Sequence, residues 1–239
     1  MRAVLITGCS AGGIGSSLAT AFQRHGYHVF ATARSVSKMS HLASLPNMTL
    51  LTLEVTSSTS IQAAVAAVED SGHRLEVLVN NAGIAPVMPL LDQDMAGARE
   101  VFETNVWGGL ALVQAFKEVL VSGGGCVVNV GSMNALAVPA WMGVYNASKA
   151  AQHVLMETLR IELEPLGVRV LTVVTGAIDT VVMTKQAGTF RLPEDSMYTA
   201  IEGKLRERAE GHEVVPRTTP DDYAEVSRDE QGWCVEGKK

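Results

Sequence analysis

The chain has 239 residues, 47% hydrophobic and 18% charged, a length for one large domain or two small ones and an apolar content that excludes global disorder. With 19 Lys and Arg against 25 Asp and Glu the net charge is −6, which excludes a general nucleic-acid-coating protein. The 22 glycines beside only 5% aromatic residues suit a glycine-punctuated α/β protein better than an aromatic-rich β-sandwich.

Residues 3–7 form a short, continuous apolar run closed by Gly8, the pattern of a strand buried on both faces. A helical pattern follows over residues 15–25, with Ile14, Leu18, Ala21 and Phe22 on one stripe. Strands are then expected at 28–33 and 48–53, a helix at 61–69, and a strand at 77–79. A long helix over about 94–121 carries Val101, Phe102, Val106, Leu110, Val113, Phe116 and Leu120, three and four apart. After a strand at 126–130, a helix over about 145–163 stops at Pro165 and Gly167, before a sixth strand at 168–174.

Six apolar strands alternating with helices predict one doubly wound, Rossmann-type α/β domain, a parallel sheet with helices on both faces. Its core spans about 1–185, followed by a substrate loop and helix over 186–212 and an atypical polar tail over 213–239. One amphipathic helix is expected near 198–210. The tail offers only residues 232–235 as a seventh strand, and disorder is the competing reading.

Cys9, Cys126 and Cys234 are scattered and away from paired histidines, which supports neither a disulfide framework nor a metal site and reads as three reduced thiols. The first apolar run starts at once, without the leader, long apolar stretch and cleavage site of a signal peptide. No apolar run approaches the roughly 18 residues that span a bilayer. A cytoplasmic location is expected, with peripheral membrane or lipid-droplet association left open.

Thr7-Gly8-Cys9-Ser10-Ala11-Gly12-Gly13-Ile14-Gly15 joins the first strand to the first helix. Glycines there permit a tight turn and let a pyrophosphate approach backbone amides at a helix N-terminus, which makes Gly8, Ser10, Gly13, Ile14 and Gly15 candidate dinucleotide contacts. Structural loops use glycine for the same freedom, so position carries the argument. The acidic residue that would bind an NAD ribose is expected about twenty residues on. Arg34 ends the second strand instead, and a guanidinium suits the 2′-phosphate of NADPH. An exposed arginine at a strand end is the plainer alternative.

Tyr145 and Lys149 stand at i and i+4 on one helix face. Ser132 follows the fifth strand and Asn105 lies on the preceding long helix, and open α/β sheets bind ligands at their carboxyl edge. With the Thr7–Gly15 turn and Asn80-Asn81-Ala82-Gly83 after the fourth strand, the chain resembles the short-chain dehydrogenase/reductase superfamily over about residues 3–185. Within it, the turn, Arg34 and Thr175-Gly176 look most like fungal reductases related to NADPH-dependent acyl-dihydroxyacetone-phosphate reductase, with hydroxysteroid dehydrogenases next.

The resemblance implies a catalytic set of Asn105, Ser132, Tyr145 and Lys149. In reduction, Tyr145 would protonate the substrate oxygen as the nicotinamide delivers hydride, and Ser132 would hold that oxygen. Lys149 would grip the nicotinamide ribose and, with oxidised cofactor, favour the phenolate. Asn105 would anchor a water linking Lys149 to solvent. Asn81, Ala82 and Gly83 would line the adenosine half of an NADPH/NADP+ site, with Thr180 at the carboxamide and further contacts at Val55, Thr175, Gly176 and Ile178. A homodimer or homotetramer is implied as well.

Three departures from the family pattern stand out. The glycine turn has one residue more than Thr-Gly-x-x-x-Gly-x-Gly, Glu54 replaces a common Asp at the adenine, and Thr175-Gly176 replaces Pro-Gly. On the substrate side, Met133, Asn134, Val138, Trp141, Met142 and the 178–190 loop are mostly apolar, which suits a hydrophobic ketone or aldehyde, although Met and Trp are ordinary core residues too. No basic cluster flanks Ser132; Lys185 and Arg191 on the loop are the exceptions. The expected function is NADPH-dependent reduction of a hydrophobic carbonyl compound. The alternative is a non-redox relative of the same fold, an isomerase, cyclisation catalyst or nucleotide sensor.

Overall fold

The computed structural model describes residues 1–180, 190–212 and 216–229, with side chains of the last helix described to residue 225. Its sheet has six strands: β1 (Arg2–Ile6), β2 (His28–Ala33), β3 (Met48–Thr52), β4 (Arg74–Asn80), β5 (Cys126–Val130) and β6 (Arg169–Val173). They run parallel in the order β3-β2-β1-β4-β5-β6. The order reverses between β1 and β4, where diverging crossovers open a crevice at the carboxyl edge of the sheet.

Alternate strand residues feed two cores because successive side chains leave opposite faces. Val4, Ile6, Val29, Ala31, Val128 and Val130 pack on one side with Leu18 and Phe22 of α1 (Ile14–Arg24). Ala3, Leu5, Phe30, Leu78 and Val127 pack on the other, against Ile61 and Val65 of α2 (Ser58–Asp70) and several later helices. A register shift between Ala3 and Val4 reverses the parity of β4, so Leu75 and Val77 enter opposite cores. The strand β4 thus begins three residues before the short run at 77–79, a start hidden in sequence because Glu76 interrupts the apolar pattern.

The long helix expected over 94–121 is divided. It comprises α3 (Met95–Phe102), a π-helical turn (Glu103–Trp107), α4 (Gly108–Ala115) and α5 (Lys117–Gly123). The paired glycines 108 and 109 follow the π turn, and a β-carbon on Gly108 would lie 2.8 Å from Val55 Cγ2. Close approach to the sheet displaces regular helix there. The α6 helix (Gly143–Leu163) matches its expected span within two residues at its start.

Beyond β6 the described chain holds α7 (Glu202–Ala209) and α8 (Pro220–Asp229). The α8 helix decides against the disorder reading of the tail up to residue 229, and supplies a helix where the sequence offered none: it packs on α1, burying Tyr223 and Ala224. Its pattern is weak in sequence because the apolar contacts of so polar a segment come in a few positions only. Residues 230–239, including the candidate strand at 232–235 and Cys234, lie outside the described residues. No described helix is long and apolar enough to cross a membrane.

Candidate active site

The glycine-rich turn leaves β1 at the switch point. Gly13 N–H donates to Ser10 O at 3.1 Å, and Gly12 between them has φ +71, a conformation that glycine adopts without strain. The additional residue is thus absorbed in a tight turn at 10–13, ahead of α1. Gly13 caps α1 with no side-chain bond to the first amides, so these remain available to an anion. A β-carbon on Gly15 would sit 2.6 Å from both Gly8 O and Asn81 Nδ2; the turn closes only over a hydrogen.

Thr7 and Asn81 hold this turn to the end of β4. Thr7 Oγ1 accepts from the amides of Asn81 and Ala82, both at 2.9 Å, and donates to Val79 O at 3.2 Å. Asn81 Nδ2 donates to Thr7 O at 2.7 Å and to Gly8 O at 3.3 Å. The Asn81 amide therefore braces the turn, while Gly83 is exposed beside it. Thr7 was missed as a site residue because it ends an apolar strand; its signal was the polar residue at a fully buried strand end.

Arg34 is exposed at the end of β2, and its Nε lies 4.0 Å from Glu54 Oε2 at the end of β3. The two carboxyl-edge positions expected to meet the adenosine end are therefore adjacent and oppositely charged. Lys38 is exposed on the following 3-10 turn (Val36–Leu42), whose Lys38 O accepts from Ala11 N–H of the glycine turn at 3.0 Å. Val55 is buried, its side chain against Gly108.

Asn105 sits in the π turn, fully buried. Its Oδ1 accepts from Ile84 N–H at 2.8 Å, and its Nδ2 donates to Ile84 O at 2.9 Å and to Ser148 Oγ at 3.0 Å. Its amide ties the loop after β4 to α6. Every hydrogen-bonding direction needed for that tie is used, so the side chain is a brace between elements.

Ser132 and Tyr145 meet beyond β5, and Lys149 reaches the last residue of that strand. A hydrogen bond from Ser132 favours the Tyr145 phenolate, but burial outweighs it and pushes the phenol above its ordinary value. Lys149 is buried, its Nζ donating to Val130 O and to Gln152 Oε1, each at 2.9 Å. Burial brings its amino group down from 10.5 to about 8. Desolvation is the leading influence on both groups, and the partner that acts on the Tyr145 phenol against it is Ser132. Gln152, unmarked in the sequence because a lone glutamine in a helix reads as solvated, is 2% exposed.

The substrate-side residues divide in two. Met133 and Val138 are exposed at the mouth, with relative exposures of 48% and 81%. Trp141 and Met142 join Val87, Phe190, Leu205 and Ala209 in a small apolar cluster next to Tyr145. Asn134 instead donates to Asn146 Oδ1 at 2.8 Å, and Asn146 donates to Pro139 O at 2.9 Å, so this pair shapes the loop. Thr175 Oγ1 lies 2.8 Å from Tyr223 OH, which gives the threonine that replaces proline a structural partner in α8. Gly176 is exposed, Ile178 and Thr180 are half-buried, and Ile178 bridges Thr218. Arg191 is exposed, its Nη1 donating to Phe190 O at 2.6 Å. Residues 181–189 of the substrate loop, Lys185 among them, lie outside the described residues. Among the described residues no group of His, Cys, Asp and Glu could hold a metal ion.

A family model described as short chain dehydrogenase matches residues 2–190. The chain belongs to this family. Its members are oxidoreductases that bind a nicotinamide cofactor, and the glycine turn and the crevice above β1 and β4 fit that cofactor. The chain is 48% identical over 225 residues to the short-chain dehydrogenase ptmH of Penicillium ochrochloron, covering 94% of this chain and 82% of that one. It is 39% identical over 199 residues to the NADPH-dependent 1-acyldihydroxyacetone phosphate reductase of Schizosaccharomyces pombe, covering 82% and 67%. Among solved structures, a short-chain dehydrogenase from Streptomyces avermitilis matches with TM-score 0.80 and 29% identity, covering 95% of this chain and 82% of that one.

Proposed function

We propose that this family member reduces a ketone or aldehyde of a hydrophobic small molecule, using NADPH. The observation that carries the reading is the convergence of Ser132 and a half-buried Tyr145 at the carboxyl edge, with an apolar cluster beside them. When bound, the nicotinamide supplies a hydride to the carbonyl carbon in reduction and takes it back in oxidation. Tyr145 gives its phenolic proton to the carbonyl oxygen, and the Ser132 hydroxyl donates to that oxygen and holds it in line. Burial raises the pKa of Tyr145, which keeps the phenol protonated at neutral pH, the state that reduction needs. Lys149 offers an N–H to the nicotinamide ribose, and the amides of Ile14 and Gly15 at the start of α1 receive the pyrophosphate.

Arg34 supports NADPH over NADH: it is exposed where the adenosine ribose would end, and Lys38 stands one 3-10 turn on. The Schizosaccharomyces pombe relative is named as NADPH-dependent, in line with this reading. The apolar residues Met133, Val138, Trp141 and Met142 support a hydrophobic substrate. The test is oxidation of NADPH and NADH against a panel of hydrophobic ketones and aldehydes, with Tyr145→Phe as the blank. Loss of nearly all turnover in the variant, with NADPH binding retained, is expected. Undiminished turnover in Tyr145→Phe would remove the phenol from the chemistry.

A further inference from the structure

Lys149 is a cation buried without a carboxylate beside it, and that arrangement needs partners. An ammonium group has three N–H donors and no acceptor. Two of the three are committed: one to Val130 O at the end of β5, one to Gln152 Oε1 on the next turn of α6. Because an ammonium only donates, the atom of Gln152 that faces it is fixed as the oxygen, whatever the ambiguity of an amide elsewhere. Gln152 also lines a cavity of about 10 Å³ shared with Thr7, Asn80 and Asn105, in which Asn80 Oδ1 has no partner. A space of that size is at the lower limit for one water. The glutamine therefore stands at a polar seam between the sheet and α6, where an apolar residue would be expected to fill the space.

No formal charge competes for this role. Tyr145 and His153, one turn back and one turn on along α6, are the titratable neighbours on Lys149's own helix. Glu103 of the π turn and Arg99 and Glu100 of α3 are exposed, and Arg169 of β6 is exposed at the opposite, amino end of its strand. The 3-10 turn after Ser132 (Met133–Ala135) brings no ionisable side chain.

We propose that Gln152 is a positioning residue for Lys149: its Oε1, together with Val130 O, holds the side chain as an ammonium and fixes its direction, leaving one N–H for the cofactor ribose. The proposal rests on the role given to Lys149 above, and its consequence is a division of labour. The backbone and Gln152 take the two donors that stabilise the charge; the third is presented to ligand.

The test reads Lys149 directly, without substrate or cofactor. Protein labelled with 13Cε lysine is titrated by NMR from pH 6 to 11, the Lys149 resonance being assigned with Lys149→Met. The wild-type midpoint is expected near 8. Gln152→Met removes the acceptor but keeps the length, and the midpoint is expected to fall by about one pH unit; Gln152→Glu places a carboxylate at the same atom and is expected to raise it by about one unit or more. Opposite movements support the proposal, since a side chain that merely filled space would not reverse sign with its charge. Unmoved midpoints, or movement in the same direction, overturn it. If one variant does not fold, the direction of the other decides. If neither folds, the wild type decides: Lys149 ammonium protons that exchange as fast as those of the exposed lysines overturn the proposal, and slower exchange supports it. Absence of NADPH turnover would defeat the proposed function and leave this reading of Gln152 intact.

Discussion

Thr7→Val is the sharpest probe of how the cofactor turn is built. Valine has nearly the shape of threonine, so the substitution deletes one oxygen from a site only 1% exposed. That oxygen accepts from two amides, Asn81 and Ala82, and returns a proton to Val79 O. In the variant both amides, on half-buried residues, lose that acceptor. Each such orphan costs about 1–3 kcal/mol, so the pair should cost about 3 kcal/mol after relaxation. For a chain of 239 residues, 1 kcal/mol moves the melting midpoint by about 2–4 °C, which places the variant roughly 6–12 °C below wild type. Thr7→Ser keeps the oxygen and loses a methyl, at a cost of about 1 kcal/mol. Melting followed by circular dichroism ranks the three proteins. A Thr7→Val protein as stable as Thr7→Ser would refute the assignment of the hydroxyl as the clasp between β1 and β4.

Two further outcomes follow from the charges in the site. The folded protein releases the Lys149 proton near pH 8, the unfolded chain near 10.5, so between those values the unfolded chain binds more protons and stability rises with pH. Urea unfolding should show Lys149→Met gaining on wild type most below pH 8, with the difference shrinking by about 3 kcal/mol as pH reaches 10.5; a constant difference contradicts the depressed value. At the other end of the crevice, Arg34→Asp should weaken NADPH binding by at least tenfold in a fluorescence titration and affect NADH far less. Equal weakening of both cofactors would remove Arg34 from the 2′-phosphate.

The alternation of apolar strands with helices was enough to specify the class of fold, because a strand buried on both faces leaves a continuous apolar run and its crossover helix leaves a stripe. All six strands and the helices around residues 14–24, 58–70 and 143–163 were legible in this way. So were the positions of Ser132, Tyr145 and Lys149, since their spacing along the chain survives without coordinates. Their partners were not. The tie from Asn105 to Ile84 and Ser148, the clasp of Thr7 on Asn81, and the contact of Gln152 with Lys149 join segments that periodicity treats separately.

Local pattern also misjudged three segments, each because a contact with another element prevailed. Close packing of Gly108 on Val55 accompanies the break in the long helix, the bulge at Glu76 hides the first half of β4, and α8 gains its order from α1. The sequence by itself determined which groups are present and the order in which the sheet receives them. Only the tertiary structure decided their ionisation and direction, because desolvation depends on what surrounds a side chain on every side. Burial raises Tyr145, lowers Lys149 to about 8, and turns the lysine toward Val130 and Gln152, none of which is written in the spacing of Tyr145 and Lys149 along one helix.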